Sequence, residues 1–179
     1  MGPLLALSRG IDRMSAGFAV IADYLVLFAV LISAGNAIMR YALNMSSNGF
    51  LEIQWYMFAA IVLLGASYTL RMNEHVRVDL IYSILSTKGR IVVDIFGFVV
   101  FFLPVIGYLF WLTYPFFWRS FVSGEGSMNA GGLILWPAKL TLPLGFALLF
   151  LQGVSELIKR VAALRGLVTL ETKYEKPLQ

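Results

Sequence analysis

Four long apolar runs dominate the sequence and limit what the chain can fold into. They cover residues 18–39, 50–70, 91–117 and 134–158. A helix rises about 1.5 Å per residue, so each run can cross the hydrocarbon layer of a bilayer, which is about 30 Å thick. The runs are continuously apolar rather than alternating, which argues against the strands of a transmembrane barrel. The sequence therefore predicts an all-α membrane protein with four transmembrane helices.

Composition supports the same class. Hydrophobic residues make up 59% of the 179 positions and charged residues only 13%, and the mean hydropathy is +0.80. A soluble domain carries about 25% charged residues. The chain has no cysteine, which excludes disulfides, thiolate metal sites and a cysteine nucleophile. We find no internal repeat and predict a single domain over residues 1–179.

The first run could instead belong to a cleaved signal peptide. Arg9 and Arg13 precede it, as basic residues precede a signal, and the Ser-Ala-Gly of residues 33–35 is a weak cleavage candidate. The apolar region of a signal peptide has about 7–15 residues, however, and this run is longer. We therefore expect the first run to remain as a membrane anchor.

The basic residues are distributed unevenly between the two sides of such a bundle. Those on the first side lie in the amino-terminal segment, the second connector and the carboxy-terminal tail: Arg9, Arg13, Arg71, Arg77, Lys88, Arg90, Lys159, Arg160, Arg165, Lys173 and Lys176. Those on the other side are Arg40, Arg119 and Lys139. Lys and Arg are retained on the cytoplasmic side of a membrane. We therefore expect both termini and the second connector to be cytoplasmic.

The four tryptophans all fall toward the opposite, external side of this topology. They are Trp55, Trp111, Trp118 and Trp136. Amphipathic rings prefer the membrane interface, where one end of the ring is dry and the other is wet. An interfacial belt is the interpretation that we favour, and a platform for an external partner is the alternative.

The acidic residues of the four runs lie toward the ends of the runs. They are Asp23, Glu52, Asp94 and Glu156. Lys159 and Arg160 follow Glu156 at i+3 and i+4, where ion pairs form readily. We therefore expect no charge at mid-depth of the membrane. Because transporters, pumps and proton channels use ionisable groups there, this expectation argues against autonomous transport by the chain.

Catalytic and cofactor-binding constellations are absent from the sequence. The only histidine, His75, lies in a connector, so the bundle offers no histidine as an axial haem ligand. No intramembrane serine–histidine pair and no His-Glu-x-x-His motif occurs. We predict no catalytic residue, no cofactor and no enzymatic activity.

Charge is concentrated in the second connector, "RMNEHVRVDL", residues 71–80. Glu74, His75 and Asp79 have the chemistry of metal ligands, but their spacing matches no known metal motif. Arg71 and Arg77 would pair with the carboxylates first. We therefore favour a salt-bridged turn that faces a partner, over a metal site.

Small residues on the first run offer a surface for close helix packing. Ala29, Ser33 and Ala37 form a small-xxx-small ladder, which lets two helix backbones approach. This surface could serve packing within the bundle or contact with another subunit.

Two amphipathic segments flank the runs. Residues 3–16 and 80–88 repeat apolar residues at helical spacing, and we expect both to lie in the membrane interface. Residues 171–179 form a polar tail.

Two motifs carry a resemblance to a known family. The first is "LEIQWYMFAAIVLLGASYTLRMNEHVRVDL", residues 51–80, with an acid and a tryptophan at the start of a span and then His-x-Arg-x-Asp. The second is "GGLILWPAKLTLPLGFALLFLQGVSELIK", residues 131–159, with Trp-Pro-x-Lys, Pro-x-Gly-Phe and Leu-Gln-Gly-x-x-Glu. In their order and positions the chain resembles the small membrane subunit, the DctQ-type or Q subunit, of tripartite ATP-independent periplasmic (TRAP) transporters.

The resemblance implies a supporting role in a bacterial inner-membrane complex. A periplasmic substrate-binding protein (P type) would deliver an organic anion, a carboxylate or an acidic sugar. A large permease subunit (M type) would bind substrate and sodium and move as an elevator. The small subunit would scaffold the static part of that permease among the membrane lipids. No nucleic acid is implied.

The resemblance also assigns positions. It places eight residues in the family's motifs or beside them, and we assign them to subunit contact or to the fold rather than to substrate binding: Glu52, Trp55, Arg71, His75, Arg77, Asp79, Trp136 and Lys139. The charged connector could dock the large subunit or pair only within the chain.

Two other functions stay open at this point. The chain could be the membrane anchor or assembly subunit of an unrelated complex, such as a respiratory enzyme. It could also be a small autonomous exporter or channel, which would show flux without other subunits.

Overall fold

Long helices account for almost all of the structure. The computed structural model describes residues 2–45, 47–73 and 85–168, of which 86% are helical. The helices are α1 (Gly2–Leu43), α2 (Asn48–Met72), α3 (Thr87–Gly97), α4 (Leu103–Ser123) and α5 (Trp136–Leu164), with a π-helical segment, Phe98–Phe102, between α3 and α4. Four helices are long and apolar enough to cross a membrane, namely α1, α2, the continuous helix Thr87–Ser123, and α5. The predicted all-α fold with four spans is confirmed.

Helix α5 lies at the centre of the bundle. It contacts α1, α2, α3 and α4, and α1 and α2 pack against each other as an antiparallel hairpin. The most apolar stretch of α5 is 39% buried, whereas the corresponding stretches of the other spans are 11–17% buried. The outer helices therefore keep most of their apolar surface exposed, as helices that face lipid or another subunit do.

Helix α1 is longer than a single span requires. It has 42 residues, about 63 Å, and it joins the amphipathic segment 3–16 to the first apolar run without a break. Ser8, Ile11 and Ser15 are buried, so this segment packs against the bundle along one side. That it lies in the membrane interface stays a prediction.

The second connector falls largely outside the described residues. His75, Arg77 and Asp79 lie there, as does most of the amphipathic segment 80–88. The described part resumes at residue 85, and α3 begins at Thr87 with Ser86 as its N-cap, whose hydroxyl accepts a hydrogen bond from the Gly89 N–H at 3.2 Å. The polar tail, 171–179, also lies outside the described residues.

The π-helical segment precedes a proline. Pro104 has no N–H for the carbonyl of Val100, and its ring would collide with that carbonyl in a regular helix. A wider turn relieves the collision, and here the Leu103 N–H bonds to the carbonyl of Phe98, five residues back. The helix therefore continues through the proline to Ser123.

Two glycines on α5 allow neighbouring helices to approach closely. A Cβ atom at Gly145 would lie 2.6 Å from Leu63 Cβ of α2, and one at Gly153 would lie 2.5 Å from the Phe102 ring. The main buried apolar contact, between Ala60, Leu64 and Leu148, forms where α2 and α5 meet.

The small-residue ladder of α1 is only partly used for packing inside the chain. Ala29 is 5% exposed, but Ser33 and Ala37 are exposed on the surface of the helix. Packing within this bundle therefore accounts for Ala29 alone.

Asp23 lies at the level of the apolar core of the bundle, although the expectation that no charge lies at mid-depth of the membrane stays a prediction. Its neighbours along α1, Phe18 and Leu25, both pack against the apolar core of the bundle. Asp23 is exposed on the outer surface of α1 and lies about 16 Å along the helix from Asp12. The sequence placed it near the end of a span because the apolar run begins at residue 18, whereas the helix begins sixteen residues earlier.

Candidate functional site

Polar side chains gather at both ends of the bundle. One group, the outer cluster, joins the start of α2 to the connector 124–135 through Glu52, Ser127, Asn129 and Leu133. The Glu52 carboxylate is 3% exposed and accepts hydrogen bonds from the Ser127 hydroxyl, from Asn129 Nδ2 at 2.7 Å and from the Leu133 N–H at 2.7 Å. An acid at this position therefore fastens the connector to the second span.

The connector folds back on itself above this carboxylate. The Ser127 N–H donates to the Leu133 carbonyl at 2.9 Å, and Gly126 pairs with Ile134 in an isolated antiparallel bridge. These backbone hydrogen bonds and the Glu52 carboxylate together hold the glycine-rich connector in one shape.

Lys139 forms a second link at the same end. Its ammonium group pairs with the Glu125 carboxylate and lies 4.3 Å from the centre of the Phe116 ring. The hydrogen bond from Lys139 lowers the pKa of the Glu125 carboxyl, which therefore stays charged at neutral pH. The connector is thus joined to α5 as well as to α2.

The two predicted tryptophan positions behave differently. Trp136 packs edge-on against Phe121 of α4, with ring centres 5.4 Å apart. Trp55 is 64% exposed and points away from the chain. Trp136 thus holds the first turn of α5 to the end of α4, and Trp55 is open to lipid or to another subunit.

The inner cluster lies at the opposite end and joins α1 to α5. The Asp12 carboxylate accepts hydrogen bonds from Gln152 Nε2 and Ser155 Oγ, both at 2.9 Å, and pairs with Lys159 at 2.9 Å. The Ser15 hydroxyl donates to Gln152 Oε1 at 2.7 Å. These side chains fix the depth at which the amino-terminal third of α1 lies against α5.

Arg160 extends the inner cluster to α3. Its guanidinium contacts Asp94 at 3.0 Å and Glu156 at 2.7 Å, and it lies 4.6 Å from the centre of the Phe98 ring. Glu156 also pairs with Lys159 at 2.7 Å. The predicted pairing of Glu156 with Lys159 and Arg160 is confirmed, and both Glu156 and Arg160 are 6% exposed.

Arg71 is the one charged residue of the connector 71–80 that lies in the described part of the chain. Its guanidinium donates to the backbone carbonyl of Asp12 at 3.0 Å and lies 5.8 Å from the centre of the Tyr68 ring. It therefore fastens the end of α2 to α1. That His75, Arg77 and Asp79 dock a partner stays a prediction, and pairing within the chain is the alternative.

Sequence reasoning missed the α1 side of the inner cluster. Ser8, Asp12 and Ser15 repeat at i, i+4 and i+7, which puts them on one helix face. Gln152 and Lys159 on α5 show the matching spacing of seven residues. Polar residues in helical register on two apolar helices are the signal that could have paired them.

The two clusters are separated by about the thickness of a hydrocarbon layer. From Glu52 to Arg71 the distance along α2 is about 28 Å. Over residues 2–45, 47–73 and 85–168, no group of three or more histidine, cysteine or acidic side chains is arranged to hold a metal ion. The arrangement can therefore fix helix positions at both membrane surfaces, while the long apolar faces remain between them.

Comparison with known proteins identifies one family. A family model described as "Tripartite ATP-independent periplasmic transporters, DctQ component" matches residues 29–163, which covers most of the chain and includes Glu52, Arg71, Trp136 and Lys139. No curated protein and no solved structure matches the chain.

Proposed function

Because the chain belongs to the DctQ family, the small membrane subunits of TRAP transporters, we propose that it scaffolds a large elevator-type permease subunit. In this proposal the large subunit takes up an organic anion, a carboxylate or an acidic sugar, driven by a sodium gradient. A periplasmic binding protein delivers the anion. The family is one of transporter components and not of enzymes.

The distribution of paired charge is the observation that carries this proposal. The inner cluster and the outer cluster tie their ionic groups into ion pairs and hydrogen bonds at the two ends of the bundle. Between them, α4 exposes large apolar side chains such as Val105, Tyr108 and Trp111. A molecule with rigid ends and apolar sides is suited to hold a neighbouring subunit in place.

Orientation belongs to the same proposal. The chain is a multi-pass membrane protein, and we place it in the bacterial inner membrane with both termini and the inner cluster on the cytoplasmic side. The connector held by Glu52 then faces the periplasm, where the binding protein arrives.

Reconstitution tests the proposal directly. Vesicles that contain only this chain should show no uptake of sialic acid or of C4-dicarboxylates under a sodium gradient. Vesicles that contain the chain, the large subunit and the binding protein should accumulate the anion that the binding protein carries. Accumulation by this chain alone would overturn the scaffold role.

The connector can be tested separately. If the connector, residues 71–80, docks the large subunit, Arg77→Ala and Asp79→Ala should each lower copurification of that subunit and lower uptake. Lys88→Ala is the control, because it also removes a charged side chain but lies outside that segment, at the start of α3. Full copurification and full uptake in both variants would remove the docking role of the connector and leave internal pairing.

A further inference from the structure

Asp23 is a carboxylate at the depth of the apolar core, on the outer face of α1. Phe18 and Leu25 on either side of it pack inward, while the Asp23 side chain is exposed. A charged side chain that faces hydrocarbon is costly, and such residues normally face a partner or a water-filled cavity. A carboxylate at this position therefore needs a group that neutralises it, either from its own chain or from another molecule.

The described part of the chain does not supply that group. On α1 the nearest basic residues are Arg13 and Arg40, about 15 Å and about 25 Å away along the helix. An aspartate side chain is too short to reach the membrane surface from this depth.

The helices packed against α1 offer no cation at this level either. Arg71 of α2 bonds to α1 near the inner end, Lys159 belongs to the inner cluster, and Lys139 pairs with Glu125 near the outer end. Among the described residues, Asp23 makes no ion pair.

The surface around Asp23 has the pattern of a helix-packing seam. Its residues follow each other at alternating spacings of three and four, and all are exposed: Val20, Asp23, Leu27, Val30, Ala34 and Ala37. Seven-residue repeats of this kind place knobs into the holes of a second helix. The seam ends in small residues that permit close approach of backbones.

A polar residue at one position of an apolar seam selects the partner and the register. From this seam and its single carboxylate we propose that α1 docks against a transmembrane helix of the large permease subunit that presents an arginine or lysine opposite Asp23. Guanidinium and ammonium groups are the side chains that neutralise a carboxylate and also donate hydrogen bonds to it. The inference rests on the proposed function, because it names the surface that the scaffold uses.

A second copy of this chain does not fit the seam. Two parallel copies in register would bring the two Asp23 carboxylates together, and like charges at close range in an apolar medium repel strongly. The partner therefore carries the opposite charge at this level.

Copurification of the large subunit with variants of the full chain tests the charge. Asp23→Asn and Asp23→Leu should each weaken association at least tenfold, since a buried charge-assisted contact is lost. Asp23→Glu, which keeps the charge, should retain more of the association than either. Because Asp23 is exposed, these variants leave the helix bundle itself intact. Association of Asp23→Asn and Asp23→Leu at the wild-type level would overturn the inference.

Spin labelling tests the surface while Asp23 is kept. The chain has no cysteine, so Leu27→Cys can carry a single nitroxide on the seam, and Val62→Cys can carry one on an exposed position of α2. Adding the large subunit should reduce the collision rate of membrane-dissolved oxygen at position 27 more than at position 62. An unchanged rate at position 27 in a complex that forms and transports would overturn the seam and leave the scaffold role standing. A wild-type chain that binds no large subunit would instead overturn the proposed function.

Discussion

Replacing Arg160 by glutamine removes the cation that α5 places between two carboxylates. In the folded protein its guanidinium contacts Asp94 of α3 and Glu156 of α5, and its side chain is 7% exposed. Glutamine keeps a polar end, but its side chain is shorter than that of arginine and cannot contact both carboxylates. The change therefore removes the charge together with the contacts of the guanidinium.

The expected loss of stability follows from the burial of the two carboxylates. Breaking a buried ion pair costs about 3–5 kcal/mol, because the remaining charge is left without a counter-ion in a poorly hydrated site. Glu156 retains Lys159 at 2.7 Å, so its own carboxylate keeps a counter-ion. We therefore expect Arg160→Gln to lower the free energy of unfolding by about 3 kcal/mol, the lower end of that range.

Unfolding of the purified chain in mixed micelles measures this quantity. Helix content can be followed by circular dichroism and the four tryptophans by fluorescence, during titration with a denaturing detergent. Arg165→Gln is the matched control, because Arg165 is exposed just after α5 ends. Its effect should stay below about 0.5 kcal/mol.

The reasoning is refuted if Arg160→Gln and Arg165→Gln have equal effects. A further variant separates the cost of an unpaired charge from the value of the pair. Replacing Asp94, Glu156 and Arg160 together by leucine should recover much of the lost stability, since the buried guanidinium and both of the carboxylates that it contacts are then removed together.

Three further changes have expected outcomes. Gly145→Ala should lower the free energy of unfolding by about 1–3 kcal/mol, because its Cβ would overlap α2. Gly65→Ala is the control, because Gly65 has open space around it and its replacement should not destabilise the protein. Equal effects of the two changes in the same titration would contradict the packing argument. Glu52→Ala should speed hydrogen exchange at amides of the connector 124–135, and unchanged exchange there would show that the outer cluster does not order it. The folded-state pKa of Glu125 is lowered, so its ion pair with Lys139 stabilises above the usual carboxyl pKa and is lost as pH falls through the lowered value. The difference in thermal midpoint between wild type and Glu125→Gln should therefore be present at neutral pH and vanish in acid, and a difference that grows in acid would contradict the sign.

The apolar runs allowed the number and the approximate position of the spans to be predicted from the sequence. Length and continuous hydropathy decide whether a segment crosses a membrane, and both are local properties. The pairing of Glu156 with Lys159 and Arg160 was predictable for the same reason, because helical spacing fixes it. Asp94 as the third member was not, since it depends on how α3 packs against α5.

Contacts between distant segments limited the rest of the prediction. The binding of Asp12 by Gln152, Ser155 and Lys159 spans about 140 residues of sequence, and the only signal for it in a single sequence is the helical register of polar residues on the two helices. The level of Asp23 relative to the core of the bundle could not be predicted for a related reason. Its depth depends on where α1 docks along α5, and polar contacts of α1 set that position rather than the start of the apolar run.

The same polar contacts explain why a scaffold of this kind can expose so much apolar surface and still keep one shape. In lipid, the hydrophobic effect gives little preference for one helix arrangement over another, because hydrocarbon surrounds the helices on every side. Hydrogen bonds and ion pairs at the two ends supply that preference instead, through Asp12 and Arg160 at one end and Glu52 at the other. The helix faces between the ends can then serve as contact surfaces for another subunit. On α1, the carboxylate of Asp23, which no described group of its own chain neutralises, lies on the face that we propose for this contact.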